Sequence, residues 1–342
     1  MALSGVARYG YVYARVRARF ADVLDAGDIR ALIEAEGWDE FISTLMNTPY
    51  GKVATGAGDA RELERALKQE LTAQYMMIMR SVTEKRLRNF FHHFFRRLEV
   101  ENLKAIIRLK ARRHAGEPLM YPVDDYFKRG ITMLAREDIT IDALFDRLKE
   151  PYKSVLSAHM AHMRKDGDTL PLERALDKEI FTAIFESARR LHGGDRRIVR
   201  EIVGLEVDIA NVIAFLRCKQ EDTTADLLPF AFSLPFEKLR DAAFAEDIPS
   251  SIRSLPDGII RRSLERAIPD YESEHSLLPF EKALRKMFYE RVKSIIRGYP
   301  LNIGTIIGFL YVKEIEIQNI CAIAIGKEHE MPADNLMKLV LM

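Results

Sequence analysis

His159 and His162 stand three residues apart, a spacing that puts both imidazoles on one helix face, where they could share a metal ion. A zinc site takes three or four protein ligands and no third stands nearby, so no metal is expected. Gly51-Lys52 and the run Gly56-Ala57-Gly58 resemble a phosphate loop loosely, but G-x-x-x-x-G-K-[ST] is absent and a surface turn is the simpler reading. Neither G-x-S-x-G nor H-E-x-x-H occurs. His92-His93 sit among Phe90, Phe91, Phe94 and Phe95; adjacent residues diverge around a helix, which predicts an aromatic core stripe with one His outside. Cys218 and Cys321 lie in apolar helical runs without disulfide or zinc spacing, so they read as small buried thiols and point to a reducing compartment. No catalytic residue and no cofactor is expected.

Charge offers a second kind of chemistry. From Arg80 to Arg113 there are eleven basic residues and three acids, a local balance of +8. With interleaved Phe, such a run could hold nucleic acid or anionic lipid. The whole chain carries only +1, from 52 Lys+Arg and 51 Asp+Glu. A solvated helix face or an acidic protein partner is therefore the favoured reading, and nucleic acid is not an expected partner.

A third constellation recurs. Glu99-Val-Glu101-Asn102, Asp208-Ile-Ala-Asn211 and Glu316-Ile-Gln-Asn319 each place an acid three residues before an Asn, ahead of an apolar run. A Lys follows each Asn by eight residues, at Lys110, Lys219 and Lys327. A second landmark, Glu64-Arg-Ala-Leu67, Glu173-Arg-Ala-Leu176 and Glu281-Lys-Ala-Leu284, precedes each Asn by 38 residues, and the Asn-to-Asn period is 109 and then 108. Looser landmarks are Thr48-Pro49-Tyr50, Glu150-Pro151-Tyr152 and Pro269-Asp270-Tyr271, where proline is expected to mark a helix end. Acid and Asn share a helix face at the edge of a packed core, and a buried carboxylate or amide must be hydrogen-bonded. The simpler reading is that each pair clamps a neighbouring helix of its own unit; the alternative is three polar patches about a pseudo-threefold axis that touch a partner. Triplication argues against catalysis, which needs one asymmetric constellation.

The elements that must carry these residues are helices. Tyr9, Val12, Tyr13, Val16 and Phe20 follow helical spacing, as do Leu63, Leu67, Leu71, Tyr75 and Ile78; Leu172, Leu176, Ile180 and Ile184; and Leu277, Phe280, Leu284, Met287, Phe288 and Val292. With 18 Gly and 13 Pro in 342 residues, turn-formers fall below their roughly 12% average share. The expectation is an all-α fold. At about 100–200 residues per domain the length allows two or three domains, and the repeat selects three: 1–117, 118–225 and 226–342. The longest late uncharged run, 298–312, is too short to span a bilayer, so no transmembrane segment is expected.

The opening Tyr9-Gly-Tyr11-Val-Tyr13-Ala-Arg15-Val-Arg17-Ala resembles the first helix of the C subunit (also called the d subunit) of archaeal and bacterial V/A-type rotary ATPases. Glu99-Val-Glu101-Asn102-Leu103-Lys104 and Glu314-Ile-Glu316-Ile-Gln-Asn319 are similar to that family's recurring motif, and Gly326-Lys327-Glu328-His-Glu-Met-Pro332 to its C-terminal pattern. The resemblance runs end to end. It implies three similar helical domains with pseudo-threefold symmetry, arranged as a funnel on the cytoplasmic face of the membrane. It implies a non-catalytic central-stalk component, one copy per complex, that joins the rotating shaft to the proteolipid ring in ATP-coupled proton or sodium transport. Candidate structural or interface residues are Arg15, Arg19, Glu99, Asn102, Asp208, Asn211, Glu316 and Asn319. Two departures stand out: Asp208 replaces Glu in the second copy, and Ile325 stands where Arg108 and Arg217 follow the Asn by six in the others. The unusually apolar stretch from Ile303 to Ile325 predicts deeper burial. An alternative function is a helical scaffold that binds RNA through the 80–113 run.

Overall fold

The computed structural model describes residues 5–111, 118–136, 139–159, 168–221, 223 and 226–341. Every regular element among them is a helix, so the fold is all-α. Six long helices dominate: Ala60–Ser81, Lys85–Ala111, Leu170–Arg189, Gly193–Gln220, Leu278–Ile296 and Ile303–Glu328. Shorter ones connect them, among them Gly5–Phe20 and Ala26–Glu34 at the start and Ala333–Leu339 at the end. The chain falls into two compact units, one made of Met1–Ser187 and Lys313–Val340, the other of Ala188–Val312.

Local chemistry sets the helix starts. Asp59 accepts the Glu62 N–H at 2.7 Å and so caps Ala60–Ser81. Asp25 and Asp28 bond each other's backbone N–H in a capping box at Ala26–Glu34. The predicted stripes are the buried ones: Tyr9, Val12 and Val16; Leu63, Leu67, Leu71, Tyr75 and Ile78; Leu172, Leu176 and Ile184; Phe280, Leu284 and Val292. Each is the apolar face that a helix must cover to offset its ordering entropy.

In the first unit, Phe90, Phe91, Phe94 and Phe95 are all buried, and Tyr75 stacks on Phe95 with centroids 5.2 Å apart. The two histidines beside them are both half-buried, so neither stands fully outside. His92 lies edge-on to Phe127 and near the Tyr126 hydroxyl at 3.3 Å, and His93 meets Arg96 at 3.2 Å. Burial and the nearby Arg96 and Arg129 lower the His92 pKa.

In the second unit, Ile303, Ile306, Ile307, Phe309 and Leu310 are fully buried, as the apolar stretch predicts. Two glycines allow this. A Cβ on Gly304 would meet Ile295 at 2.7 Å, and one on Gly308 would meet Ile296 at 2.6 Å. Proline departs from expectation once. Pro49 follows Gly37–Met46 and Pro151 precedes Tyr152–Ser157, but Pro269 lies inside Ile259–Glu274. It is exposed and lies in the last two turns of the helix, where losing one i→i−4 bond interrupts little of the ladder.

Candidate functional site: three acid–amide clamps

The three motif helices hold their acid and Asn in the core. Glu99, Asn102, Asp208, Asn211, Glu316 and Asn319 are all buried. The clamps they form grip distant pieces of backbone, hydroxyls and cations.

On Lys85–Ala111, Asn102 makes a two-pronged pair with one residue. Its Oδ1 accepts the Tyr121 N–H at 2.7 Å and its Nδ2 donates to the Tyr121 carbonyl at 2.8 Å. One turn before it, Glu99 Oε2 accepts from Tyr152 Oη and from Arg129 Nη1, both at 2.7 Å. Arg96 lies over the Tyr152 ring at 5.5 Å and donates to Glu179 at 2.6 Å. Glu99 is 0% exposed and its Oε1 has no hydrogen-bond partner. Burial raises its pKa, against the opposing pull of Tyr152 and Arg129. The Tyr152 phenol is pushed far up by burial and by Glu99, so it stays a proton donor.

On Gly193–Gln220 the same positions hold a loop. Asn211 Oδ1 accepts the Leu228 N–H at 2.7 Å, and its Nδ2 donates to the carbonyls of Leu228 and Phe230 at 3.2 and 3.3 Å. Asp208 accepts the N–H groups of Phe232 at 2.9 Å and Ser233 at 2.6 Å, and the Ser233 hydroxyl at 2.7 Å. Gly204, one turn earlier, lets this loop approach: a Cβ there would meet Phe232 Cβ at 2.6 Å. The aspartate is one methylene shorter than glutamate and sits against backbone donors instead of a phenol. The tyrosine of the third Pro-Tyr landmark, Tyr271, stacks on Phe280 with centroids 4.9 Å apart.

On Ile303–Glu328, Glu316 accepts the Leu24 N–H and, at 2.6 Å, the Tyr50 hydroxyl. Lys313 pairs with the same carboxylate at 2.6 Å and lies over the Tyr50 ring at 4.4 Å. Burial, then Glu316, raises the Tyr50 pKa well above that of a free phenol. Tyr50 and Tyr152 are the Pro-Tyr landmark residues, and both serve as phenol donors to a motif carboxylate.

The other repeated positions meet one another as well. Arg108 grips Glu173 through two bonds, its Nε at 2.9 Å, and Arg217 reaches Glu281 at 2.7 Å. These pairs join the residue six past each Asn to the Glu landmark. In the third copy Ile325 replaces the arginine, and Glu64 pairs with Lys68 of its own helix at 3.0 Å. Lys219 donates to the carbonyls of Ala243 at 2.9 Å and Ala245 at 2.6 Å, and Lys327 donates to those of Ile33, at 2.6 Å, and Ala35. Each of these lysines covers the C-terminal carbonyls of a short helix, where a cation is favoured.

The bonds of Glu99 and Asn102 go to residues 121, 129 and 152, those of Asp208 and Asn211 to 228–233, and those of Glu316 to 24 and 50. Each set stays inside one of the two compact units. The period equates the three sites but carries no information on their partners.

The remaining candidates stand apart from the clamps. Arg15 donates to Ser81 at 3.3 Å and Arg19 pairs with Asp22 at 3.2 Å near the surface. Much of the basic run is paired with carboxylates, Arg96 on Glu179 and Lys104 on Glu101 and Asp177 with both cations buried, and Arg108 on Glu173 at the surface. Arg112, Arg113 and His162 lie outside the described residues, and the His159 ring nitrogen meets the Val155 carbonyl at 2.9 Å. Among the described residues no group of His, Cys, Asp or Glu is arranged for a metal. The Gly58 N–H is taken by Glu62 at 2.9 Å, which puts a carboxylate where a phosphate loop needs free donors. Cys218 and Cys321 are free thiols and half-buried, and burial pushes the Cys321 pKa up to about 12. Among the described residues no helix is long and apolar enough to cross a membrane.

Comparison with known proteins agrees in extent with the three-copy motif. The A-type ATP synthase C subunit of Methanocaldococcus jannaschii is 26% identical over 348 residues, covering 98% of this chain and 87% of its own. The protein of that name from Methanothermobacter thermautotrophicus is 26% identical, over 97% of this chain and 87% of its own. That from Haloferax volcanii is 25% identical, over 98% and 97%. The profile of the family described as ATP synthase (C/AC39) subunit matches residues 12–339, and on that end-to-end match this chain belongs to that family of ATP synthase subunits.

Proposed function

We propose that this chain is the non-catalytic central-stalk socket of an A-type rotary ATP synthase, coupling the rotating shaft to the proteolipid ring as protons or sodium ions cross the membrane. The observation that carries this reading is the use made of the repeated polar residues. Glu99, Asn102, Asp208, Asn211 and Glu316 each spend carboxylate or amide oxygens on fixing distant parts of the chain. Torque transmission asks for such stiffness and for no chemistry. In this reading the domains are 1–117, 118–225 and 226–342, related by pseudo-threefold symmetry, and Arg15 and Arg19 belong to the partner-facing surface. One copy serves each complex, peripheral on the cytoplasmic face of the membrane.

The test is reconstitution. Purified chain is mixed with isolated shaft subunits, then added to vesicles holding the membrane sector, with the catalytic head supplied last. ATP-driven ion uptake is expected only when the chain is present, and the chain alone is expected to turn over no ATP. Full uptake without the chain would overturn the proposal.

A further inference from the structure

The Gly5–Phe20 helix buries Tyr9, Val12 and Val16, and among the described residues nothing covers its opposite face. That face is centred on Ala7, Tyr11, Ala14 and Ala18, spaced by four, three and four residues, with Tyr11 64% exposed. Arg15 flanks this seam on one side and Arg17 on the other, and the helix contains no acidic residue. The Arg15 side abuts the junction between Ala60–Ser81 and Lys85–Ala111, through Arg15 to Ser81 at 3.3 Å and Arg8 to Glu84 at 3.1 Å. That junction carries exposed Arg80, Lys85 and Arg86. Arg15 meets the hydroxyls of Tyr11 and Ser81, and Arg17 lies over the Phe20 ring. Among the described residues none of these five cations is paired with a carboxylate, whereas Arg96, Lys104 and Arg108 further along the same run are.

We propose that this surface docks an acidic α-helix of a partner protein. Uncompensated cations from three elements call for negative charge. The seam selects a helix, because Ala14 and Ala18, four residues apart, let a second helix axis come close beside the exposed Tyr11 ring, with the flanking arginines set to meet acids on its rims. A membrane surface fits less well. An interfacial helix needs Trp, Phe or Leu to enter the headgroup layer, and among the described residues of this helix the exposed large apolar groups are Val6 and Tyr11. The proposal rests on membership of a multi-subunit complex and not on the socket reading, since any subunit presenting such a helix would serve.

The test uses the full chain and a labelled synthetic three-heptad helix with Ala and Leu at the seam and Glu on both rims, read by fluorescence anisotropy. The comparison probes are the same helix with Lys for Glu, phosphatidylcholine vesicles with and without phosphatidylglycerol, and poly(U) RNA. The Glu helix is expected to bind, the Lys helix not, and the affinity is expected to weaken with salt. Arg17→Glu with Arg86→Glu should lower affinity about tenfold or more. Ala14→Trp should block the Glu helix without lowering the melting temperature, because position 14 is exposed. Three results would overturn the proposal: equal binding of the Glu and Lys helices, unchanged affinity in both variants, or tighter binding of anionic vesicles or RNA. If ring reconstitution fails while the Glu helix still binds, the socket reading fails and the docking surface stands.

Discussion

Glu99 is a carboxyl held dry, with one oxygen bonded and the other bare. Burial raises its pKa, so the folded state holds its proton to higher pH than the unfolded chain does. The sign of the linkage follows: its contribution to stability is greatest below the ordinary carboxyl pKa and falls as pH rises through the window up to the folded value. Asp177 is raised by burial as well and adds a decline of the same sign, so the informative quantity is the difference between the wild type and Glu99→Gln. That difference, from urea titrations across mildly acidic pH, is expected to move against the wild type as pH rises; a flat difference would mean that the fold does not raise the Glu99 pKa. The phenols supply a second prediction at this scale. Tyr152→Phe removes a donor from a buried carboxylate and is expected to cost about 1–3 kcal/mol. Tyr271→Phe keeps its stack on Phe280 and is expected to change stability by no more than about 0.5 kcal/mol. Equal urea midpoints for the two variants would refute the distinction.

Close approach between helices is decided by single hydrogens. Gly308 sits where a Cβ would come within 2.6 Å of Ile296, while Gly10 has nothing nearer than 3.7 Å. Gly308→Ala is therefore expected to destabilise by about 1–3 kcal/mol through overpacking. Gly10→Ala, in an unobstructed helical position, is expected to stabilise by about 0.4–1 kcal/mol by restricting the unfolded chain. Thermal melts of the two variants should move in opposite directions, and a shared direction would mean that space is not the deciding factor at Gly308. The long helices are legible in sequence because Leu63, Leu67, Leu71 and their counterparts repeat at a period only a helix satisfies. The segments between them are not. Tyr121 and Tyr152 are held by Asn102 and Glu99 on an earlier helix, and Asp124 bonds the Ile131 and Thr132 N–H groups. A local window holds no trace of such partners. Pro269 misleads for the opposite reason: its residue type signals a break, but it stands exposed in the last two turns of its helix, where the ladder is nearly complete.

At the scale of the whole chain, the same limit explains which half of the clamp site could be read. Position was legible, because an acid, an Asn and a Lys recur at fixed spacing; direction was not, because periodicity equates sites without naming what they touch. The contacts supply the partners: Glu99 holds Tyr152, Asp208 holds Ser233, and Glu316 with Lys327 reaches back to Leu24, Tyr50 and Ile33. Glu316→Ala would strand the buried Lys313 and is expected to cost about 3–5 kcal/mol, with faster amide hydrogen exchange around Leu24. The missing arginine gives a sharper test of equivalence between the copies. Arg108 meets Glu173 and Arg217 meets Glu281, but Ile325 is 45% exposed and offers Glu64 nothing to bond. If the copies are related as the repeat implies, Ile325→Arg restores the third pair. A double-mutant cycle with Glu64→Gln is expected to give a coupling of about 0.2–1 kcal/mol, the size of a solvent-exposed ion pair, that shrinks in high salt. A coupling of zero, with both variants folded, would mean that the third copy does not meet the first as the other two meet their successors, and the threefold relation would end at the sequence.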